Sequence, residues 1–121
     1  MNLQQAIAKQ EGFGVAGKIP TLHHNPGNII AGAWAIQHGS IAYPGFIAMF
    51  PDDQTGWAAL TALLKGQFYF GLTVSEAIYR YLGMKPSTGS TDAQGDNAAL
   101  YIKDVCTWCN CTPDTPIAGL L

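Results

Sequence analysis

Glycine and proline interrupt the chain repeatedly between Phe13 and Phe50, and this stretch most restricts how the chain can fold. Its apolar runs, "NII", "AWAI" and "GFIAMF", are short and separated by turn residues, so no helical period continues through them. Short apolar runs bounded by turn residues are typical of small strands. We therefore expect a small β-hairpin or an irregular lobe here, with helices before and after it.

The segment before this lobe predicts a helix over residues 3–11. Leu3 and Ile7 belong to an apolar stripe at helical spacing. Asn2 can cap the start of the helix, and Gly12 stands where a helix-ending glycine is preferred. Local signals thus define both ends of this element.

The segment "PDDQTGWAALTALLKGQFYFG" predicts a long helix after the lobe. Asp52 or Asp53 can cap it, and an acid at this end also complements the helix dipole. An apolar stripe that begins at Trp57 continues at helical spacing to Phe68. We expect Gly71 to end this helix.

Two further helices are predicted towards the end of the chain. Thr73 and Glu76 have the spacing of a capping box, which marks the start of the first. The second runs over residues 97–108 with Asp96 as its cap. The prolines of "TPDTPIAGLL" predict an extended tail.

Length and composition indicate one domain over residues 1–121. The chain has 121 residues, and 48% of them are hydrophobic, which is enough for a core. The polar loop at residues 85–95 is too short to separate two domains. The expected fold class is therefore α+β and mainly helical: an N-terminal helix, a small lobe, then a helical lobe.

The charge pattern argues against nucleic acid as a partner. The net charge is -2 and no basic run occurs, so nucleic acid, which needs clustered Lys and Arg, is not expected as a partner.

No apolar run approaches the ~20 residues of a membrane span. The start of the chain lacks the basic and apolar regions of a signal peptide. We expect either synthesis in the cytoplasm or a leader that has been lost, and action outside the cytoplasm would otherwise need another export route.

Cysteine and histidine give no clear metal site. Cys106, Cys109 and Cys111 are odd in number and lack an obvious fourth ligand for zinc. Reduced structural thiols are the favoured interpretation, with one disulfide or a metal left open. His23 and His24 are adjacent, so their side chains diverge, and no metal or cofactor is expected.

Glu11 is the acidic residue whose position best suits a catalytic role. It lies four residues after Ile7 and so continues the apolar stripe at the carbonyl end of the helix. Burial and the negative end of the helix dipole both raise the pKa of a carboxyl, which favours a proton on Glu11 near neutral pH. A general acid for a glycosidic bond needs this property. A solvated glutamate at a helix end is the plainer alternative.

Three stretches in order, "AIAKQEGF", "NPGNII" and "FIAMFPDDQTGWAALTALL", resemble the small lysozyme-like peptidoglycan-cleaving domains of phages and bacteria. "AIYRYLG", "DNAALYIKDV" and "TPDTPI" extend the resemblance over most of the chain. Two features depart from it: cell-wall enzymes are often basic, and "CTWCNC" is no part of the family pattern.

The resemblance implies a lysozyme-like fold that cuts the β-1,4 bond between N-acetylmuramic acid and N-acetylglucosamine. The family acid corresponds to Glu11, and "NPGNI" corresponds to residues 25–29. The family "F-A-x-F" segment corresponds to residues 47–50, with Ala48 and Phe50 at its recognisable positions. The implied partner is the glycan strand of peptidoglycan, in the periplasm, bound by a monomer.

Asn25, Asn28, Phe50 and Tyr101 are the candidate substrate-binding residues. For the two asparagines a role in the turn is an equal alternative, and for Tyr101 the alternative is core packing. No carboxylate closely follows "NPGNI", which favours a transglycosylase-like route over hydrolysis with a second carboxylate. A rival hypothesis is a non-catalytic virion or secretion-apparatus module that binds glycan or protein.

Overall fold

The computed structural model describes residues 1–42, 44–83 and 97–121. Within these ranges the chain is mainly helical, as predicted. Its α-helices are α1 Leu3–Glu11, α2 Ile19–Leu22, α3 Ala33–Gln37, α4 Asp53–Lys65, α5 Val74–Tyr81 and α6 Ala98–Cys109, and a 3-10 helix spans Ile117–Leu120. The polar loop at 85–95 and the predicted cap Asp96 lie outside the described residues.

The contacts divide the chain into two compact units. The turn-rich unit is Ile7–Leu64, and it contains α2, α3, the second half of α1 and nearly all of α4. The helical unit consists of Met1–Ala6 and Lys65–Leu121, and it contains α5, α6 and the 3-10 helix.

Helix α1 has the bounds that the sequence predicts. The Asn2 side chain accepts the N–H of Gln5 at 2.8 Å, and the Gln5 side chain accepts the N–H of Asn2 at 3.0 Å. This reciprocal pair satisfies two N–H groups that would otherwise lack partners at the helix start. Gly12 follows the helix with φ +93°, a conformation that favours glycine. Leu3 and Ile7 are buried, as the stripe requires.

The predicted β-hairpin is wrong for the described part of the turn-rich unit. Two isolated antiparallel bridges occur instead, Ile30 with Ile47 and Ile41 with Met49. The run "AWAI", which we expected to be extended, forms part of α3. Because this helix lies in the chain between the two bridges, they are not joined into one ladder.

Helix α4 ends earlier than predicted, at Lys65 rather than near Gly71. The carbonyl of Gly66 accepts the N–H groups of Tyr69 and Phe70, each at 3.1 Å, in the turn that follows. Tyr69 is buried there, whereas Phe68 is 64% exposed and does not continue the apolar stripe. The helix therefore gives way to a turn at Gly66, before the residues that the sequence pattern assigned to it.

The helical unit confirms the predicted capping box of α5. Thr73 accepts the N–H of Glu76 at 3.3 Å, and Glu76 accepts the N–H of Thr73 at 3.0 Å. Helix α6 packs against α5 and is capped by Asn97, which accepts the N–H of Leu100 at 3.0 Å. The buried apolar residues of this unit include Val74, Ala77, Ile78, Tyr101, Ile102, Val105 and Ile117.

The end of the chain is extended only in part. Pro116 forms an antiparallel bridge with Thr73, and Ile117 donates its N–H to Leu72 O at 3.0 Å. The 3-10 helix Ile117–Leu120 then departs from the prediction of an extended tail. Ile117 is fully buried, so apolar burial holds the tail to the helical unit.

Candidate functional site

Glu11 is the last residue of α1 and is half-buried. The chain turns directly after it, where Gly12 N–H donates to Lys9 O at 3.2 Å and Phe13 N–H donates to Ala8 O at 3.0 Å. These bonds use the carbonyls of Ala8 and Lys9 in the last turn of α1, so Glu11 lies at the carbonyl end of the helix, where the chain turns. We refer to residues 11–18 as the acid loop.

The hydroxyl of Thr21 holds the acid loop in place. It accepts the N–H of Gly14 at 2.9 Å and donates to Val15 O at 2.9 Å. Thr21 lies in α2, so a short helix fixes the loop that follows the acid.

We expect Thr21→Val to destabilise the protein by about 1–2 kcal/mol, because each lost hydrogen bond contributes about 1 kcal/mol. The shape is kept, so the effect isolates the hydroxyl. Urea unfolding measures it. Thr107→Val is the control, since that exposed hydroxyl only donates to a carbonyl of its own helix, Lys103 O at 2.9 Å. Equal stability of the Thr21 variant and the wild type would show that the hydroxyl does not hold the loop.

An aromatic pair joins the acid loop to α4. The rings of Phe13 and Trp57 meet edge to face, with centroids 5.4 Å apart and an interplanar angle of 79°. Both residues are half-buried, so part of each remains open to solvent. Phe13 is two residues after Glu11 in the chain, so the pair offers apolar surface in the loop that follows Glu11.

Asn25 is fully buried, and its side chain makes three hydrogen bonds. Its amide nitrogen donates to Ile29 O at 3.0 Å and to Ala48 O at 2.9 Å, and its amide oxygen accepts Ile29 N–H at 2.9 Å. The side chain therefore reinforces the two backbone segments that the isolated Ile30–Ile47 bridge pairs. The structure gives Asn25 a structural role, and its predicted contact with sugar stays a prediction.

Asn28 has a different environment. It adopts the left-handed conformation with φ +52° and is half-buried. Its side-chain oxygen is buried and has no hydrogen-bond partner among the described residues. An unpaired buried acceptor costs free energy, and because this oxygen is closed off from solvent, a donor from a ligand would reach it only after the turn opens. We refer to residues 24–28 as the asparagine turn.

One face of α4 contacts both the acid loop and the asparagine turn. Asp53, Gly56 and Trp57 are spaced i, i+3 and i+4, which places them on the same side of the helix. Asp53 binds His24 in the asparagine turn, with carboxylate oxygen and Nδ1 2.8 Å apart. Trp57 contacts the acid loop through its ring. The acid loop and the asparagine turn, which contains "NPGN", therefore both contact the first turns of α4.

Gly56 permits this close approach. A Cβ at this position would overlap the carbonyl oxygen of His24 and lie 2.8 Å from Pro26 Cδ. The backbone of α4 therefore packs directly against the asparagine turn.

The two aspartates at the start of α4 have separate partners. Asp52 accepts the N–H of Thr55 at 2.8 Å and its hydroxyl at 2.7 Å. These hydrogen bonds, the backbone one first, lower the pKa of Asp52. Asp53 pairs with His24, a contact between residues 29 apart that the sequence analysis missed. No local spacing signal could have indicated this pair.

Phe50 and Tyr101 are core residues in the structure, 1% and 0% exposed. Phe50 belongs to the turn-rich unit, where its N–H donates to His23 O at 2.9 Å. Tyr101 lies on α6 in the helical unit. Their predicted roles in substrate binding remain predictions.

Comparisons with protein-family models, with curated proteins and with solved structures found no match to this chain. None of the helices in the described ranges has the length and apolar character needed to cross a membrane.

Proposed function

We propose that this chain cleaves the β-1,4 bond between N-acetylmuramic acid and N-acetylglucosamine in peptidoglycan, with Glu11 as the general acid. One observation supports the proposal most. The half-buried Glu11 and the asparagine turn, which carry the lysozyme-like resemblance, belong to segments that contact the same face of α4. A carboxyl at a carbonyl-rich helix end beside partly open aromatic rings suits protonation of a bound sugar.

In the proposed reaction Glu11 donates its proton to the glycosidic oxygen as the sugar gains oxocarbenium character. Asp52 and Asp53 are each held by another side chain, which makes them poor second carboxylates. We therefore favour completion by the 6-hydroxyl of the muramyl sugar. Glu11, now a carboxylate, accepts the proton of that hydroxyl, and a 1,6-anhydro end results.

Two features of the turn-rich unit fit a sugar ligand. The unpaired oxygen of Asn28 would accept a hydrogen bond from a sugar hydroxyl or an acetamido N–H once the asparagine turn opens to expose it. The rings of Phe13 and Trp57 can pack against the apolar face of a sugar. These contacts would position the glycosidic oxygen relative to Glu11.

The products of digestion test both the activity and its route. Purified peptidoglycan incubated with the protein should lose turbidity and release soluble fragments, and mass spectrometry should find 1,6-anhydro ends on them. Reducing ends instead would keep the bond specificity but contradict the route. Absence of any fragments, with the folded protein present in excess, would contradict the proposed activity. Co-sedimentation with the wall would then identify the rival binding module.

A further inference from the structure

The cysteines of "CTWCNC" lie where α6 ends, and the geometry of this end gives them different neighbours. The carbonyl of Cys106 accepts the N–H groups of both Asn110 and Cys111, the latter at 3.0 Å. Asn110 has the left-handed conformation, with φ 52° and ψ 54°. Together these features form a Schellman-type helix end.

This helix end brings the side chains of Cys106 and Cys111 together. In a Schellman motif the first residue past the left-handed position contacts the residue five positions before it, usually through apolar side chains. Here Cys111 and Cys106 occupy those two positions, so the motif places their side chains next to each other. Both residues are half-buried, so a small reagent can reach them.

Cys109 has a different partner. Its thiol donates to the carbonyl of Asn2 at 3.6 Å, next to the point where the N-terminal ammonium of Met1 binds Trp108 O at 3.1 Å. The third thiol thus holds the start of the chain. No group of three or more metal-binding side chains suited to an ion occurs within the described ranges.

We propose that Cys106 and Cys111 are a thiol–disulfide site, oxidised by low-molecular-weight disulfides such as oxidised glutathione, while Cys109 stays a thiol. One thiolate of the pair attacks the sulfur–sulfur bond of the oxidant and releases one small thiol. The other thiol loses its proton and attacks the protein sulfur of this mixed disulfide. The Sγ–Sγ bond forms, the second small thiol leaves, and two electrons and two protons have passed to the oxidant.

Oxidation should be slow near neutral pH. Burial, followed by the neighbouring Cys111 and Cys109 thiols, raises the pKa of Cys106 to about 12. Cys106 must lose its proton in one of the two steps, and only the thiolate attacks. A raised pKa leaves little thiolate at pH 7, so the rate should increase as the pH rises towards 9.

The full chain can be incubated with oxidised glutathione, alkylated and mapped by mass spectrometry. We expect a peptide pair joined through Cys106 and Cys111, with the alkyl label on Cys109 alone. Cys109→Ser should form the same disulfide at a similar rate. Cys111→Ser should instead accumulate the mixed disulfide with glutathione. A disulfide that includes Cys109, or alkylation of all three cysteines at every glutathione ratio and pH, would overturn the proposal.

Discussion

Glu11→Gln should reduce the rate of peptidoglycan lysis at least ~100-fold, because general acid catalysis contributes 10²–10⁴-fold to such reactions. Glutamine keeps the size of the side chain and can still donate hydrogen bonds, but it has no carboxyl proton to transfer. Loss of turbidity and quantified soluble fragments measure the effect. The melting temperature and the wall-bound fraction should stay close to those of the wild type.

Asp114→Asn is the matched control for this change. It removes one carboxylate and so alters the net charge equally, but Asp114 is exposed in the tail of the helical unit. Its lytic rate should equal that of the wild type. Wild-type lysis by the Glu11 variant would refute the assignment of Glu11 as the acid.

Gly56→Ala should destabilise the protein by about 3 kcal/mol or more, at the upper end of the costs of overpacking. The added methyl group would overlap the backbone carbonyl of His24, which cannot rotate away as a flexible side chain can. Relief requires α4 to separate from the asparagine turn. We expect a fall in melting temperature of roughly 10 °C, measured by circular dichroism.

Gly71→Ala controls for the general effect of replacing glycine. A Cβ at Gly71 meets nothing within 4 Å, so its stability should change little. Because α4 contacts both the asparagine turn and the acid loop, the Gly56 variant should also lose lytic activity. Stability equal to that of the Gly71 variant would show that α4 and the turn are not in tight contact.

The residues that carry the lysozyme-like resemblance have different structural roles. Asn25 joins two backbone segments, and Gly56 lets a helix approach the turn, so both are explained by folding alone. Glu11 lies at the start of the loop that the Thr21 hydroxyl holds in place. The rival non-catalytic module would therefore need Asn25 and Gly56 as much as an enzyme would. Among variants of these residues, the Glu11 variant is the one that separates the two hypotheses.

Local signals in the sequence were sufficient for some elements and misleading for others. The cap at Asn2 and the capping box of Thr73 and Glu76 depend on atoms three residues apart, and both were predictable. The end of α4 was not, because an apolar stripe through Phe68 suggested a longer helix. Apolar runs in the turn-rich unit were also compatible with either a strand or a short helix.

The sequence by itself determined where α1 and α5 begin, and it singled out Glu11 as the acid at a helix end. Only the tertiary structure decided the contact of Asn25 with Ala48, the pairing of His24 with Asp53 and the need for glycine at position 56. The physical reason is the range of the interactions. Helix caps are satisfied within one turn of chain, whereas these contacts form only after segments more than twenty residues apart have packed together.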